Sequence, residues 1–176
     1  MSHVLSSLPK DFPAAIVIVQ HLDPRHRSLM ASILARRTRL TVKEARDGDS
    51  IGAGTALTAP PDRHLLVNAD GTVSLTQTEL VHFVRPSADL LFESVAASFK
   101  EKAIAVVLTG SGSDGSMGVK AIKKMGGTVI AQDENTSDFF GMPGAAIATG
   151  AVDFILPLDE IAGALETLVM IGVEDE

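Results

Sequence analysis

The chain contains no cysteine and no tryptophan. The first absence excludes disulfides, thiolate catalysis and cysteine-held zinc or iron–sulfur centres, and it suits a reducing cytoplasm. No apolar run approaches the ~20 residues that a membrane span needs, so direct membrane insertion is not expected. The opening stretch Met1-Ser-His-Val-Leu-Ser-Ser-Leu-Pro9 has no basic segment ahead of a long apolar core, so no signal peptide is expected. A surplus of positive charge is also missing. The net charge is −7, which argues against nucleic acid as a partner, because phosphate binding needs a dominant basic face. His21 and His26 are separated by Pro24 and do not form an i,i+4 helical pair, so neither a metal site nor a cofactor is expected.

What is present fits one globular domain spanning 1–176, large enough to bury roughly 70% of the surface of its unfolded chain. Residues 14–20 form a near-continuous β-branched run, as in a strand buried on both faces. A helix is predicted at roughly 27–37 and a short strand over Leu40–Glu44. From Asp47 to Thr78 the pattern is rich in turns. Short runs at 56–58, 65–67 and 72–75, with Asp70-Gly71 between the last two, predict an antiparallel excursion at the sheet edge. Ser87 suits the N-cap of a helix carrying Ala88, Leu91, Phe92, Val95 and Phe99 at a 3.6 period. A strand at 103–108, a helix at about 115–125 ending at Gly126-Gly127, a strand at 128–132, a short helix from Gly141, a strand at 152–156 and a closing helix after Pro157 complete the pattern. Strands alternating with helices predict a doubly wound, mostly parallel α/β sheet with helices on both faces.

Ligands of such sheets bind where the strands end, at the C-terminal edge. His21 leaves the first long strand there. Asp114 leaves another, within Thr109-Gly-Ser-Gly-Ser-Asp-Gly115. A histidine and an aspartate meeting at that edge can act as a base and its orienting carboxylate. The glycine-rich turn matches neither the phosphate loop with its Gly-Lys-Ser/Thr ending nor a full dinucleotide fingerprint. On its own it reads as a turn with Asp114 capping the helix that follows, as a catalytic turn, or as a nucleotide-binding turn. Asp62-Arg63-His64, after Pro60-Pro61, reads as charged decoration on a turn or as part of a rim. The cluster Arg25, His26, Arg27, Arg36, Arg37 and Arg39 reads as a solvated helix face or as a docking patch for an acidic protein surface.

Taken in order, Gln20-His21, Ala59-Pro-Pro-Asp-Arg-His64, Arg85-Pro-Ser-Ala-Asp-Leu-Leu-Phe92, Val107-Leu-Thr-Gly-Ser-Gly-Ser-Asp-Gly115, Gly127-Thr-Val-Ile-Ala-Gln132 and Phe140-Gly-Met-Pro143 resemble the catalytic domain of the CheB chemotaxis protein-glutamate methylesterases. The resemblance implies a cytoplasmic serine hydrolase that removes methyl esters from glutamates on the cytoplasmic helices of chemoreceptors, with glutamine deamidation in related members. It places the triad histidine on His21 and the triad aspartate on Asp114, and it points to the Ser111 amide as an oxyanion donor.

The nucleophilic serine of that family lies on a Gly-x-Ser-x-Gly-Gly turn after a strand, and this pattern has no counterpart in the sequence. Ser2, Ser6 and Ser7 fall on the following helix or loop. The chain is therefore expected to be a shortened form, inactive as it stands, with exposed sheet edges that favour oligomers. No receiver domain is expected. The alternative is a non-catalytic receptor- or kinase-binding module of the same fold.

Overall fold

The structure, a computed structural model, describes residues 1–174, so the last two residues of the 1–176 span lie outside it. Helix α1 (Ser2–Ser7) leads into strand β1 (Ile16–Ile18), helix α2 (Met30–Ala35), and strands β2 (Thr41–Glu44) and β3 (Thr55–Thr58). These three strands form a parallel sheet in the order β1-β3-β2. Here the prediction for 47–78 needs correcting. The 55–58 run is no antiparallel edge piece but the centre of the first sheet, with Ala56, Leu57 and Thr58 each at most 1% exposed. Burial on both faces demands an unbroken small or apolar run, and the flanking glycine-rich turns make so short a run read as part of the edge excursion. Only β4 (His64–Val67) and β5 (Val73–Thr76) form the antiparallel hairpin, closed at Asn68–Gly71. Helix α2 is shorter than predicted, because its N-terminus is set at Met30 by the Ser28 hydroxyl, which accepts from the Met30 N–H at 3.1 Å.

Helix α3 (Ala88–Phe99) then leads through a short 3-10 turn to β6 (Ile104–Val107). Helix α4 (Ser116–Lys124), strand β7 (Thr128–Gln132), helix α5 (Gly141–Ala148), strand β8 (Phe154–Leu156) and helix α6 (Leu158–Glu174) follow. The second parallel sheet has the order β6-β7-β8. Gly126, at φ +90°, closes α4, and the Gly127 N–H returns to the Ile122 carbonyl at 2.9 Å, a left-handed exit open to glycine at little strain.

Among the described residues no ladder joins β1 to β6. Yet Ile16 and Ile18 share an apolar cluster with Ile104, Val106 and Ile130, beneath α1 and α6. The carbonyls of Ala14 and Ile18 accept from Gly54 and Ala59, so strand alternation turns the Val17 N–H and C=O to the opposite, unpaired edge. The Ala103 carbonyl likewise accepts from Thr128, which turns Ile104 and Val106 away from β7. The two sheets are thus one apolar unit with a free strand edge on each side of the seam.

Candidate active site

At the C-terminal ends of β1 and β6 the structure brings His21 and Asp114 together, with Nε2 2.7 Å from Oδ2. The His21 side chain stays 34% exposed while that of Asp114 is 5% exposed, so a substrate can reach the ring but not the carboxyl. Among the described residues Asp114 is the only hydrogen-bond partner of the His21 ring. Gln20 and Leu22, on either side of His21, line an open cleft of about 610 Å³ together with Met1, Leu29 and Met30.

Asp114 does not cap the helix it precedes. Its neighbour Gly115, at φ +96°, is the α4 N-cap and offers no side chain. The carboxylate instead crosses to α3. Oδ2 accepts from the Ala88 N–H at 2.7 Å and Oδ1 from the Asp89 N–H at 3.1 Å, while the Ser87 hydroxyl donates to Oδ1 at 3.0 Å. Ser87 sits at the predicted N-cap position, but its hydroxyl is spent on Asp114, and Asp114 supplies the cap that Ser87 does not. The first backbone N–H groups of a helix have no intrahelical acceptors, and a carboxylate there also meets the positive end of the helix dipole. Burial pushes the Asp114 carboxyl up, but the bonds from His21, Ala88, Asp89 and Ser87 together outweigh it and hold the group below the usual aspartate range. The carboxylate is therefore ionised opposite His21. Opposite an ionised carboxylate Nε2 is the donor of this bond, and Nδ1 makes no hydrogen bond among the described residues.

His64 overturns the expectation of turn decoration. It is fully buried at the start of β4, with Nε2 2.9 Å from the Glu79 carbonyl and Nδ1 accepting from the Ser87 N–H at 3.2 Å. Asp62 does decorate the turn, bound by the Arg85 guanidinium. Asp89 is also buried. Its Oδ1 accepts from the Gly118 N–H at 2.8 Å, and its Oδ2 has no hydrogen bond among the described residues, with His82 Nδ1 3.9 Å away. Burial raises the Asp89 carboxyl above its ordinary value, the Gly118 bond opposes this, and the Asp114 charge adds to the rise.

The glycine-rich turn is fastened at its near end. The Gly110 N–H donates to the Phe139 carbonyl, the Gly110 carbonyl accepts from Met142, and buried Gln132 takes the Thr109 N–H at 2.9 Å. Ser111 stays exposed, and its N–H has no acceptor among the described residues. Ser2, Ser6 and Ser7 lie on α1, where the Ser6 and Ser7 hydroxyls donate to the His3 carbonyl. The basic cluster is split: Arg25 and His26 engage Asp23 on the loop before α2, and Arg36 and Arg37 follow the helix.

Parallel α/β folds with a histidine–carboxylate pair at the C-terminal strand ends occur among hydrolytic enzymes that use a base-activated nucleophile. Residues 1–165 match the family described as CheB methylesterase. The protein-glutamate methylesterase/protein-glutamine glutaminase 2 of Anaeromyxobacter dehalogenans is 45% identical over 168 residues, which cover 96% of this chain and 49% of that protein. The corresponding protein of Symbiobacterium thermophilum is 40% identical over 165 residues, covering 94% of this chain and 46% of that one. The crystal structure of the Thermotoga maritima CheB methylesterase catalytic domain superposes with a TM-score of 0.91 at 41% identity, covering 95% of this chain and 90% of that one. The chain belongs to the CheB methylesterase family and has the α/β fold of its catalytic domain. It spans about half the length of these two full-length relatives.

Proposed function

We propose that this chain is a single domain, the catalytic unit of a cytoplasmic protein-glutamate methylesterase, with His21 as general base and Asp114 as its orienting carboxylate. The observation that carries this reading is the 2.7 Å contact between His21 and a buried carboxylate held by three further donors. The nucleophile is a serine on a strand that enters between the free edges of β1 and β6 and ends beside His21.

His21 Nδ1 takes the serine proton as the serine oxygen attacks the ester carbonyl of a methylated glutamate side chain. Asp114 stabilises the imidazolium formed in that step. The Ser111 N–H faces the developing oxyanion, a contribution of about 3–4 kcal/mol for one well-aimed donor. The tetrahedral intermediate collapses, the carbon–oxygen bond to the methoxy group breaks, and methanol leaves with the proton from His21. Water then attacks the glutamyl–serine ester with His21 again as base, releasing glutamate and the free serine. The glutaminase activity in the relatives' names would follow the same steps with ammonia as leaving group. The substrate is a cytoplasmic helix of a methyl-accepting chemoreceptor, as the family resemblance implies.

The alternative is a receptor- or kinase-binding module of the same fold. Methanol release from a methylated receptor fragment separates the two. Turnover by a form extended upstream, lost on His21→Ala, supports the esterase. A folded extended form without turnover leaves the binding module.

A further inference from the structure

His64 is buried, aromatic and polar at once, and the steps above do not use it. Both of its ring nitrogens are engaged: Nε2 with the Glu79 carbonyl at 2.9 Å and Nδ1 with the Ser87 N–H at 3.2 Å. That pattern fixes one neutral tautomer, with the proton on Nε2 donated to the carbonyl and Nδ1 accepting. Ser87 is fully buried as well and spends its hydroxyl on Asp114 Oδ1. A continuous chain of bonds thus runs from the Glu79 carbonyl through His64 and Ser87 to the carboxylate that holds His21. It ties the β4 strand to the N-terminus of α3, the element whose amides also grip Asp114.

We propose that His64 is a positioning residue for hydrolysis, fixing the Ser87 backbone so that its hydroxyl and the first α3 amides aim the Asp114 carboxylate at His21. The assignment rests on the reading of His21 and Asp114 as base and orienter. An aspartate that presents Oδ2 to a ring nitrogen at 2.7 Å must keep both its position and its rotation about the carboxyl axis. Two donors on Oδ1 set that rotation, and one of them is Ser87. With His64 replaced by a side chain that cannot accept, the Ser87 N–H is left buried without a partner, and the residue is free to turn toward another acceptor. Outer partners that orient the ligands of metal sites typically cost about 10–100-fold in affinity or activity when removed, and a loss of that order is expected for a partner that orients Asp114.

Two near-isosteres divide the roles of the ring. In His64→Asn the amide oxygen falls near the Nδ1 position and keeps the acceptor for Ser87. In His64→Gln the amide nitrogen falls near Nε2 and keeps only the bond to Glu79. Both variants keep a buried polar side chain, so a purely structural role would affect them alike. The experiment measures methanol release from a methylated receptor fragment by the form extended upstream, for wild type, His64→Asn, His64→Gln and His21→Ala, with a thermal melt of each. It adds the hydrogen-exchange rate of the Ser87 amide, which needs no activity.

The expected result is a kcat loss of about 10–100-fold in His64→Gln, with KM within about twofold and rapid Ser87 exchange. His64→Asn stays within about threefold of wild type and keeps Ser87 protected. Equal kcat losses that track the melting temperatures, or a folded His64→Gln with wild-type kcat and a protected Ser87 amide, would overturn the proposal. Failure of the underlying reading looks different. There His21→Ala turns over like wild type, whereas if only the His64 assignment is wrong, His21→Ala is inactive and His64→Gln is unaffected.

Discussion

Four donors converge on Asp114, and this sets what an asparagine would do there. An amide offers one oxygen and one NH2 group, so whichever way it turns, one backbone N–H, that of Ala88 or of Asp89, faces a donor, while the Ser87 hydroxyl or the His21 ring must turn round to accept. An N–H orphaned in this buried position is expected to cost about 1–3 kcal/mol of stability. In the esterase reading Asp114→Asn also leaves His21 without the partner that fixes its tautomer, which in a serine protease triad lowers kcat about 10⁴-fold. The pH dependence follows from the same carboxyl. Its folded value lies below the ordinary aspartate value, so its stabilisation is complete above about pH 4 and is lost as pH falls through the lowered folded value. Thermal melts should show wild type well above Asp114→Asn at neutral pH, with the gap closing in acid. A gap independent of pH would remove the charge from the explanation. Asp89 has the opposite sign. Its folded value is raised, so the stability linked to it is present below about pH 4 and is lost as pH rises through that raised value. Asp89→Asn is therefore expected to gain melting temperature relative to wild type as the pH goes from acid to neutral. An offset that stays constant, or reverses, would show that the buried charge is not what burdens that position.

At the scale of elements, the site depends on how closely α3 and α4 approach. A Cβ on Gly118 would meet the Phe92 Cβ at 2.6 Å and the Asp89 Cα at 3.1 Å, and both belong to α3. Gly118→Ala must part the helices at the point where the Gly118 N–H holds Asp89, and overpacking of this kind costs about 1–3 kcal/mol. At roughly 2–4 °C per kcal/mol for a chain of this size, differential scanning calorimetry resolves the loss, and an unchanged melting temperature would refute the tight contact. The same elements explain what could be read in advance. His21 and Asp114 were legible because each follows an apolar, β-branched run and so must emerge at the carboxyl edge of a parallel sheet. His64, Ser87 and Asp89 were not. Their bonds span 23 to 27 residues between a hairpin, a helix start and a distant turn, and no periodicity reports which loop caps which helix. Ser87 was placed correctly as an N-cap, while its hydroxyl partner belongs to tertiary structure alone. β3 was misplaced because a strand of four residues between glycine-rich turns carries too little pattern to separate a buried centre from an edge.

On the scale of the whole molecule, the seam between the two sheets governs behaviour. Val17 on one side and Ile104 and Val106 on the other present backbone groups without ladder partners among the described residues, and such edges pair with whatever strand is available. The 176-residue chain alone is expected to self-associate as its concentration rises, as seen by light scattering across a size-exclusion peak. Proline at position 17 separates the two occupants of that seam. It removes an N–H that points to the open edge and leaves the rungs to β3 intact, since those use the Ala14 and Ile18 carbonyls. Val17→Pro should therefore keep the short chain folded and more nearly monomeric. In a form extended upstream, the same change should abolish methanol release by blocking the strand that brings the serine to His21. If Val17→Pro leaves the extended form fully active, the nucleophile does not enter beside β1. If it leaves association of the short chain untouched, the molecules meet through some other surface. Loss of both association and turnover from one backbone donor would tie the solution state of this domain and its chemistry to the same open edge.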